Sequence, residues 1–382
     1  MYNASFAPFA AAFAFLNTAF SLPVTDLIPS LVTRNRESVP RLIQYVQTFH
    51  TINSEDNYLS LLPLLNQDTG ITHVILAAMH INGPDGNITL NDDSPDSGVF
   101  DQTWAEVPTL QEAGVKVMMM VGGYAQGSYD GRLCSKAGDV QDEYYLGLES
   151  TLKYYNLDGI DLDIEEVVPM ACPKNLVKRI RQDFGEDFII TMAPVASDLT
   201  STGRSAFGRF SYSAFDASQA GQMVNWYNGQ YYSGFVRGSL EESYEAAIDN
   251  GYSPERVVMG LVNSENDGGG FVGLDEVIET IENLQDEYRN FGGVDGWEYY
   301  DAGSSDGLAR PWMWTKRIGK ALFGDHSKRD ITRRSRHPHH TPARPAGVAK
   351  LVKEGHDQIA AARAMRLAKG DEEAARKILT ES

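Results

Sequence analysis

The sequence predicts an α/β fold in which strands and helices alternate and the strands close into a (β/α)8 barrel. Eight short apolar runs recur along the chain, with helical patterns between them. These runs are apolar enough to be buried on both faces, as the strands of parallel sheets are. The chain has 382 residues, enough for one barrel of roughly 250 residues and a small second domain. A doubly wound open sheet is the alternative, although such a sheet more often has fewer strands.

The apolar runs and the helical segments follow one another regularly. The runs lie at residues 41–50, 71–81, 115–123, 157–165, 188–196, 222–232, 256–263 and 292–300. The helical segments include residues 107–114, 146–156, 175–185, 240–251 and 274–292. Several of these segments end on Gly or Asn, as helix C-termini often do. We therefore expect a TIM barrel, with its functional groups at the carboxyl ends of the strands.

Composition and charge narrow the classes of partner. The chain has 52 acidic and 33 basic residues, which gives a formal net charge of −19. This charge disfavours binding of the main body to nucleic acid or an anionic membrane, but it does not repel a neutral polysaccharide. The only two cysteines, Cys134 and Cys172, fall on the loops after the third and fourth predicted strands. They could pair in a secreted protein or remain free thiols in another compartment.

Four segments can be distinguished along the chain. Residues 1–30 are an apolar N-terminal extension or a secretory signal. Residues 31–315 are expected to form the barrel. Residues 316–345 are basic and interrupted by Pro, which predicts a flexible linker. Residues 346–382 carry three short amphipathic patterns, so a small three-helix domain is expected to follow the barrel.

The fourth apolar run contains a row of acidic residues. Residues two apart in a strand point to the same face, so Asp161, Asp163 and Glu165 share one face, and we expect that face to point into the barrel. Crowded carboxylates cannot all ionise cheaply, so at least one should hold a proton near neutral pH and could act as a general acid. A structural acid cluster and an Mg²⁺ or Ca²⁺ site are the alternatives. The flanking acids Asp158 and Glu166 are not expected to be catalytic.

The acidic row and four other segments resemble one enzyme family. The stretch LDGIDLDIE (157–165) resembles the Asp-Gly-x-Asp-x-Asp-x-Glu signature of family 18 glycoside hydrolases, which include chitinases and endo-β-N-acetylglucosaminidases. Further resemblances lie at residues 115–124, 191–195, 229–234 and 292–302. Met120 stands where the family usually has Ser, and Ser233 stands where it has Asn. The resemblance covers roughly Leu31 to Ala302.

This resemblance implies a substrate-assisted mechanism, in which the sugar supplies its own nucleophile. Glu165 would protonate the leaving oxygen, and the N-acetyl carbonyl of the sugar would attack the anomeric carbon. Asp163 would hold the acetamido N–H, and Asp161 would share charge or a proton with Asp163. Water activated by Glu165 would complete the hydrolysis with retention of configuration. Neither a metal nor an organic cofactor is implied.

The resemblance also implies a set of substrate-binding residues. Tyr232 would donate to the acetamido oxygen, with Gln230 on the same face of the strand and Tyr227 as a second candidate for that role. Trp297 would form an apolar floor under the sugar ring. Two glycines would let the loop backbone pass close behind the acidic strand: Gly122 and Gly123.

The C-terminal segment resembles a different family. Residues 351–379, LVKEGHDQIAAARAMRLAKGDEEAARKIL, resemble a ubiquitin-associated (UBA) domain, which implies ubiquitin as a partner. The usual Met-Gly-aromatic turn is replaced by Glu354-Gly355-His356. Because such domains belong to the cell interior, we expect a cytoplasmic protein; secretion is the alternative if the N-terminal apolar segment is a signal.

The combined patterns predict retaining hydrolysis of β-1,4-linked N-acetylglucosamine glycans, such as chitin or chito-oligosaccharides. Two alternatives remain open. One is an endo-β-N-acetylglucosaminidase that acts on N-glycans. The other is a catalytically inactive protein that binds carbohydrate or serves as a ubiquitin-linked adaptor.

Overall fold

The computed structural model describes residues 39–51, 58–83, 86–304, 307–308 and 310–324, together with part of 350–381. The predicted N-terminal segment 1–30 and most of the predicted linker lie outside the described residues. Within the described part of the chain, no helix is both long enough and apolar enough to cross a membrane.

Eight parallel strands form a closed barrel. They are β1 (Arg41–Val46), β2 (His73–Ile81), β4 (Lys116–Gly122), β5 (Gly159–Asp163), β6 (Ile189–Met192), β7 (Trp226–Gln230), β8 (Val257–Val262) and β9 (Gly293–Trp297). A short strand, β3 (Ile88–Leu90), pairs antiparallel with the end of β2. β1 pairs with both β2 and β9, which closes the sheet and excludes the open alternative. Each predicted apolar run contains one barrel strand, so the barrel prediction is confirmed.

Helices cover the outside of the barrel. They are α1 (Leu62–Asn66), α2 (Asp101–Glu112), α3 (Asp142–Tyr154), α4 (Ala171–Phe184), α5 (Ala196–Leu199), α6 (Tyr212–Asp216), α7 (Leu240–Asp249), α8 (Leu274–Glu287) and α9 (Trp312–Phe323). The start of α7 illustrates how the sequence sets a boundary. Ser239 and Glu242 form a capping box, in which each side chain bonds to the backbone N–H of the other.

Apolar side chains form two separate cores. The larger lies between the strands and the helices and includes Ile160, Leu162 and Ile164 of the acidic strand segment. The smaller fills the inside of the barrel and includes Tyr45 and Met120. The predicted alternation of this strand is therefore confirmed on its apolar side, and its acidic side is left to face the barrel interior.

The last barrel helix extends past the predicted domain boundary. α9 continues through Lys316 to Phe323, and it buries Ile318 and Leu322. Thr315 donates to the Gln44 side chain of β1 at 3.0 Å. The prediction that a flexible linker begins at residue 316 was wrong, because the basic residues there occupy the exposed face of an amphipathic helix.

The described residues of the C-terminal segment form a small cluster of their own. α10 spans Glu372–Glu381. Leu351, Ala361, Ala364 and Ala375 are buried together. Arg376 makes two bonds of 2.7 Å to the Glu354 carboxylate.

Candidate active site

The acidic row of the β5 segment lies at the carboxyl ends of the barrel strands. The Asp161 side chain is fully buried, Asp163 is 5% exposed, and Glu165 is half-buried. Exposure therefore increases along the row, from the barrel interior toward its mouth. This gradient places Glu165 where a substrate can reach it, as is usual for barrel enzymes.

Three neutral side chains hold Asp161. Its carboxylate accepts hydrogen bonds from the Tyr45 hydroxyl at 2.7 Å, the Thr191 hydroxyl at 2.6 Å and the Asn228 amide at 3.1 Å. The Asn228 amide is itself oriented by the Trp226 indole N–H, which donates to it at 2.7 Å. Burial raises the pKa of Asp161, and these hydrogen bonds oppose that rise.

A single side-chain amide connects the other two acids. The Gln230 Nε2 atom lies 3.2 Å from Asp163 Oδ1 and 3.3 Å from Glu165 Oε1, and it also donates to the carbonyl oxygen of Ala193 at 3.0 Å. Burial, followed by the charges of Glu165 and Asp161, raises the pKa of Asp163 well above its usual range. Burial also raises the pKa of Glu165. A carboxyl held neutral in this way can serve as a proton donor.

Gly122 and Gly123 bring the neighbouring strand end close to the acids. Gly122 has a φ of +98°, and a Cβ there would lie 2.2 Å from the carbonyl oxygen of Asp163. The backbone N–H of Gly123 donates to that oxygen at 3.0 Å. Only glycine fits Gly122 without strain, so the close backbone approach predicted for this pair is present.

One acid of the row, Asp163, lines a cavity together with three of the six predicted binding residues: Gln230, Tyr232 and Trp297. The residues that line the cavity belong to the carboxyl ends of several strands: Tyr45, Met120, Asp163, Ala193, Asn228, Gly229, Gln230, Tyr232, Asp295 and Trp297. Burial and then the nearby Asp163 charge raise the pKa of the Tyr232 phenol, so it remains a proton donor at neutral pH. The Trp297 ring lies 5.6 Å from the Tyr45 ring, tilted by 56°.

Tyr227 does not belong to this cavity, and its predicted role in substrate binding was wrong. Its side chain is fully buried in the outer core. Its hydroxyl donates to Asp216 at 2.9 Å, and the Arg256 guanidinium lies 5.3 Å from its ring centre. The physical reason is strand alternation. Trp226, Asn228 and Gln230 point into the barrel, so Tyr227, which lies between Trp226 and Asn228 in the chain, points outward.

The sequence interpretation missed several polar residues of the site. Tyr45, Thr191 and Asn228 hold Asp161, and Asp295 lines the cavity. Strand alternation was the available signal, since Asn228 lies two residues before Gln230 and Asp295 lies two residues before Trp297. Each of these residues is polar and occupies an inward position of a buried strand, and that combination would have indicated it.

The two flanking acids have structural roles, as expected. Glu166 accepts three backbone N–H bonds from Gly127, Tyr129 and Asp130, at 2.9 to 3.0 Å. Asp158 accepts from the backbone N–H of Val117 at 2.9 Å and from the side chains of Gln111 and Lys116.

One group of acids among the described residues could hold a cation. Asp267, Glu298 and Asp301 each place a carboxylate oxygen within 4.8 Å of the others. Burial, followed by the neighbouring acids, raises the pKa of Asp267 to about 8. The Glu298 carboxylate accepts from the backbone N–H groups of Gln47, Thr48 and Tyr300, so it already has a role in holding loops.

A disulfide joins the two loops that flank the acidic strand. Cys134 and Cys172 are bonded, with their Cα atoms 5.6 Å apart. Cys134 lies in the loop whose backbone is also bound by Glu166, and Cys172 lies in the first turn of α4. The pairing that the sequence left open is therefore present in the structure.

The fold and the cavity together define a class of protein. A closed (β/α)8 barrel that displays carboxyls with raised pKa values at the carboxyl ends of its strands is an enzyme scaffold equipped for acid–base chemistry. A family model for glycosyl hydrolases family 18 matches residues 41–265. The chain belongs to this family and is a glycoside hydrolase.

Individual relatives agree with this assignment. The protein Endochitinase 4 of Metarhizium anisopliae is 30% identical over 194 residues, covering 47% of this chain and 66% of that protein. The structure of a fungal endo-β-N-acetylglucosaminidase of family 18 shares 39% identity with a TM-score of 0.69, over 75% of this chain and 99% of that one. The structure of the chitinase ChiC from Aspergillus fumigatus shares 40% identity with a TM-score of 0.62, over 68% and 92% of the two chains.

Proposed function

We propose that this enzyme hydrolyses β-1,4-linked N-acetylglucosamine in chitin-type glycans, with retention of configuration and with the acetamido group of the substrate as nucleophile. The observation that carries the proposal is the arrangement around Gln230, whose amide lies between Asp163, which lines the cavity, and the half-buried Glu165. The likeness to proteins named as chitinases supports the choice of substrate.

Glu165 is the proton donor in this proposal. It is the most exposed acid of the row, and burial raises its pKa, which favours the protonated form that a general acid needs. That proton goes to the glycosidic oxygen as the bond to the anomeric carbon breaks. The resulting carboxylate then takes a proton from the water that attacks the cyclic intermediate, which returns Glu165 to its starting state.

Asp163 and Tyr232 hold the acetamido group in this proposal. Asp163 accepts its N–H and, once its proton has passed to Asp161, stabilises the positive charge that develops on the oxazolinium ring, while Tyr232 donates to the acetamido oxygen. Asp161 lies behind Asp163, where Tyr45, Thr191 and Asn228 hold its carboxyl group. Preorganised charge of this kind commonly contributes a large share of a rate enhancement.

The direct test is incubation of the full chain with chitotetraose and with an N-glycan in parallel, with the product masses measured. Release of chitobiose or N-acetylglucosamine from the tetramer supports the proposal. The Glu165→Gln variant serves as the control, because its loss of product assigns the activity to this site. A protein that binds the tetramer but never releases product would instead support the inactive carbohydrate-binding alternative.

Action on N-glycans is the second candidate substrate class. It is favoured by the likeness to the fungal endo-β-N-acetylglucosaminidase and by a polar groove that reaches the backbone of Glu165. This groove is lined by Gln47, His80, Asn82, Thr89, Asn91, Asp92, Ala125, Gln126, Ser128 and Arg132. The Gln126 amide donates to the carbonyl oxygen of Glu165 at 2.8 Å, so hydroxyl-rich sugars bound there would lie next to the proton donor. Cleavage within the chitobiose core of the N-glycan would establish this activity.

The C-terminal segment is proposed to be a UBA-like three-helix domain with ubiquitin as its partner. The small buried cluster around Leu351 and the helix α10 are consistent with a compact helical unit. Gly355 has a φ of +94°, as expected for the turn after a first helix. Retention of ubiquitin by immobilised full-length protein, and its loss on deletion of residues 346–382, would support the partner. Equal retention of ubiquitin by the full-length and the shortened protein would show that the C-terminal segment does not bind it.

We propose two mutually exclusive places of action: the cytoplasm, if the C-terminal segment binds ubiquitin, or an oxidising compartment, in which case it does not. The Cys134–Cys172 disulfide supports the second, because disulfides persist mainly in secreted proteins. Thiol labelling of the protein from its natural source would decide between the two. Two labelled cysteines would favour the cytoplasm, and none would favour secretion.

A further inference from the structure

The cavity contains one carboxyl that no step of the proposed reaction uses. Asp295 lies on β9, two residues before Trp297, and is only 3% exposed. It lines the cavity together with Asp163 and Tyr232. Its Oδ2 atom is buried and accepts no hydrogen bond from the residues that the structure describes.

The neighbouring strand leaves room for this carboxyl. Gly260 of β8 pairs with Asp295 in the sheet. A Cβ at Gly260 would lie 2.7 Å from Asp295 Oδ1 and 2.8 Å from Oδ2. The glycine therefore creates the space that the carboxyl occupies, since any other residue at position 260 would collide with it.

An unpaired acid at this position is costly for stability. Its pairing partner on β1 is Ile43, which belongs to the apolar cluster inside the barrel. A buried polar group without a partner destabilises the folded state, so an apolar side chain would be the more stable choice. Buried polar groups without a hydrogen-bond partner are rare in native proteins and call for an explanation. Here a ligand group that enters the cavity can be the missing partner.

The charge state of Asp295 fixes the kind of ligand atom. Burial, followed by the Asp161 charge, raises the pKa of Asp295 well above its usual range, so a neutral carboxyl with an O–H donor faces the cavity. Tyr232 lines the same cavity as Asp295, and burial raises the pKa of its phenol, so it keeps its O–H. Two proton donors thus line one cavity, where a carbonyl oxygen could accept from both.

We propose that the Asp295 carboxyl donates a hydrogen bond to the acetamido oxygen of the bound sugar, beside Tyr232, and thereby helps to select N-acetylated sugars. The inference rests on the proposed function and assigns a substrate-binding residue to the same cavity. Asp163 would take the acetamido N–H, and Asp295 and Tyr232 would take its oxygen. The stability lost by burying Asp295 would be recovered when substrate binds.

Binding measurements in the full-length Glu165→Gln variant test this role without turnover. Calorimetry would give dissociation constants for chitotetraose and for its fully N-deacetylated counterpart. In Asp295→Leu, which keeps the shape but removes the donor, we expect the preference for the acetylated sugar to fall about tenfold, the size of one hydrogen bond. Asp295→Asn keeps a donor, and its preference should stay within about threefold of the parent.

Two further variants complete the experiment. Asp295→Ala also lacks the donor and replaces the Leu variant if that protein does not fold. Asp198→Asn is the matched control: Asp198 is a buried acid that accepts from the backbone N–H of Ala206 at 2.8 Å and does not line the cavity. The control should leave the preference unchanged.

The outcomes separate this inference from the proposed function. If the Leu and Ala variants keep the full preference, or lose affinity equally for both sugars, Asp295 does not contact the acetamido group and the inference is wrong. If the parent binds neither sugar and the wild-type enzyme does not cleave chitotetraose, the proposed function fails as well. The thermal unfolding midpoint of Asp295→Leu should equal or exceed that of its parent, because an unpaired buried acid has been removed.

Discussion

Glu165 and Glu166 are neighbours in the chain but have opposite surroundings. Glu166 is buried and accepts three backbone N–H bonds from one loop. Glu165 is half-buried and has one long contact, 3.3 Å, to the Gln230 amide, which it shares with Asp163. A carboxylate that is fully bonded by the protein holds structure, whereas one with incomplete bonding at a cavity is available for a substrate.

The same contrast separates the remaining acids of the segment. Asp158 is bonded to Lys116, Gln111 and a backbone N–H. Among the residues that the structure describes, the Gln230 amide alone donates to the Asp163 side chain, and the pKa of Asp163 is raised well above its usual range by burial and by two neighbouring charges. Bonding state therefore separates Asp163 and Glu165 from Asp158 and Glu166, whereas Asp161 is fully bonded and can act only through Asp163.

The largest expected effect is on Glu165. Glu165→Gln should lower kcat on chitotetraose by about 10³-fold or more, because the amide cannot donate a proton to the leaving oxygen. Its unfolding midpoint should stay close to that of the wild type, since few bonds are lost. Initial rates and thermal unfolding on one preparation would check both expectations, and near wild-type turnover would contradict the assignment.

The second largest effect on activity is expected from substitution of Asp163. Asp163→Asn should lower kcat by about 10²-fold, which is typical of losing one preorganised charge or donor in an active site. The amide cannot stabilise the positive intermediate, yet it can still bond to Gln230. Steady-state kinetics would show the loss mainly in kcat; a change confined to KM would point to simple binding instead.

Strand alternation explains how much of this site the sequence could predict. The inward positions of β5 identified Asp161, Asp163 and Glu165, and the branched residues between them are in the outer core. The same rule applied to β7 would have excluded Tyr227 and found Asn228. Asp295 could not be assigned a role in that way, because its importance depends on the space left by Gly260 across the sheet. The end of α9 was missed because a basic helix face and a basic linker have the same composition.

Glu166 should affect stability more than activity. Glu166→Gln is expected to lower the free energy of unfolding by about 2 kcal/mol, because charge-assisted bonds to three backbone N–H groups are weakened. Denaturant unfolding would measure the loss. The control is Glu143→Gln on the exposed face of α3, which should change stability little. If the Glu166 variant is as stable as this control, Glu166 has no structural role and the distinction between Glu165 and Glu166 is wrong.

The smallest expected effect is a pH dependence of stability. The folded pKa of Asp163 is raised, so the folded protein keeps a proton that the unfolded chain releases above about pH 4. Its stabilising contribution is therefore present at low pH and is lost as the pH rises through the folded pKa. Asp163→Asn cannot ionise, so its stability relative to the wild type should increase between pH 5 and pH 8. A difference that is constant over this range would show that Asp163 is not held neutral.

The most direct test of the account is the configuration of the first product. Time-resolved proton NMR of the wild-type enzyme acting on chitotetraose reports which anomer forms before mutarotation. Attack by the acetamido group followed by water on the opposite face predicts that the β-anomer appears first. Early formation of the α-anomer would mean direct displacement by water and would contradict the role proposed for Asp163 and Glu165.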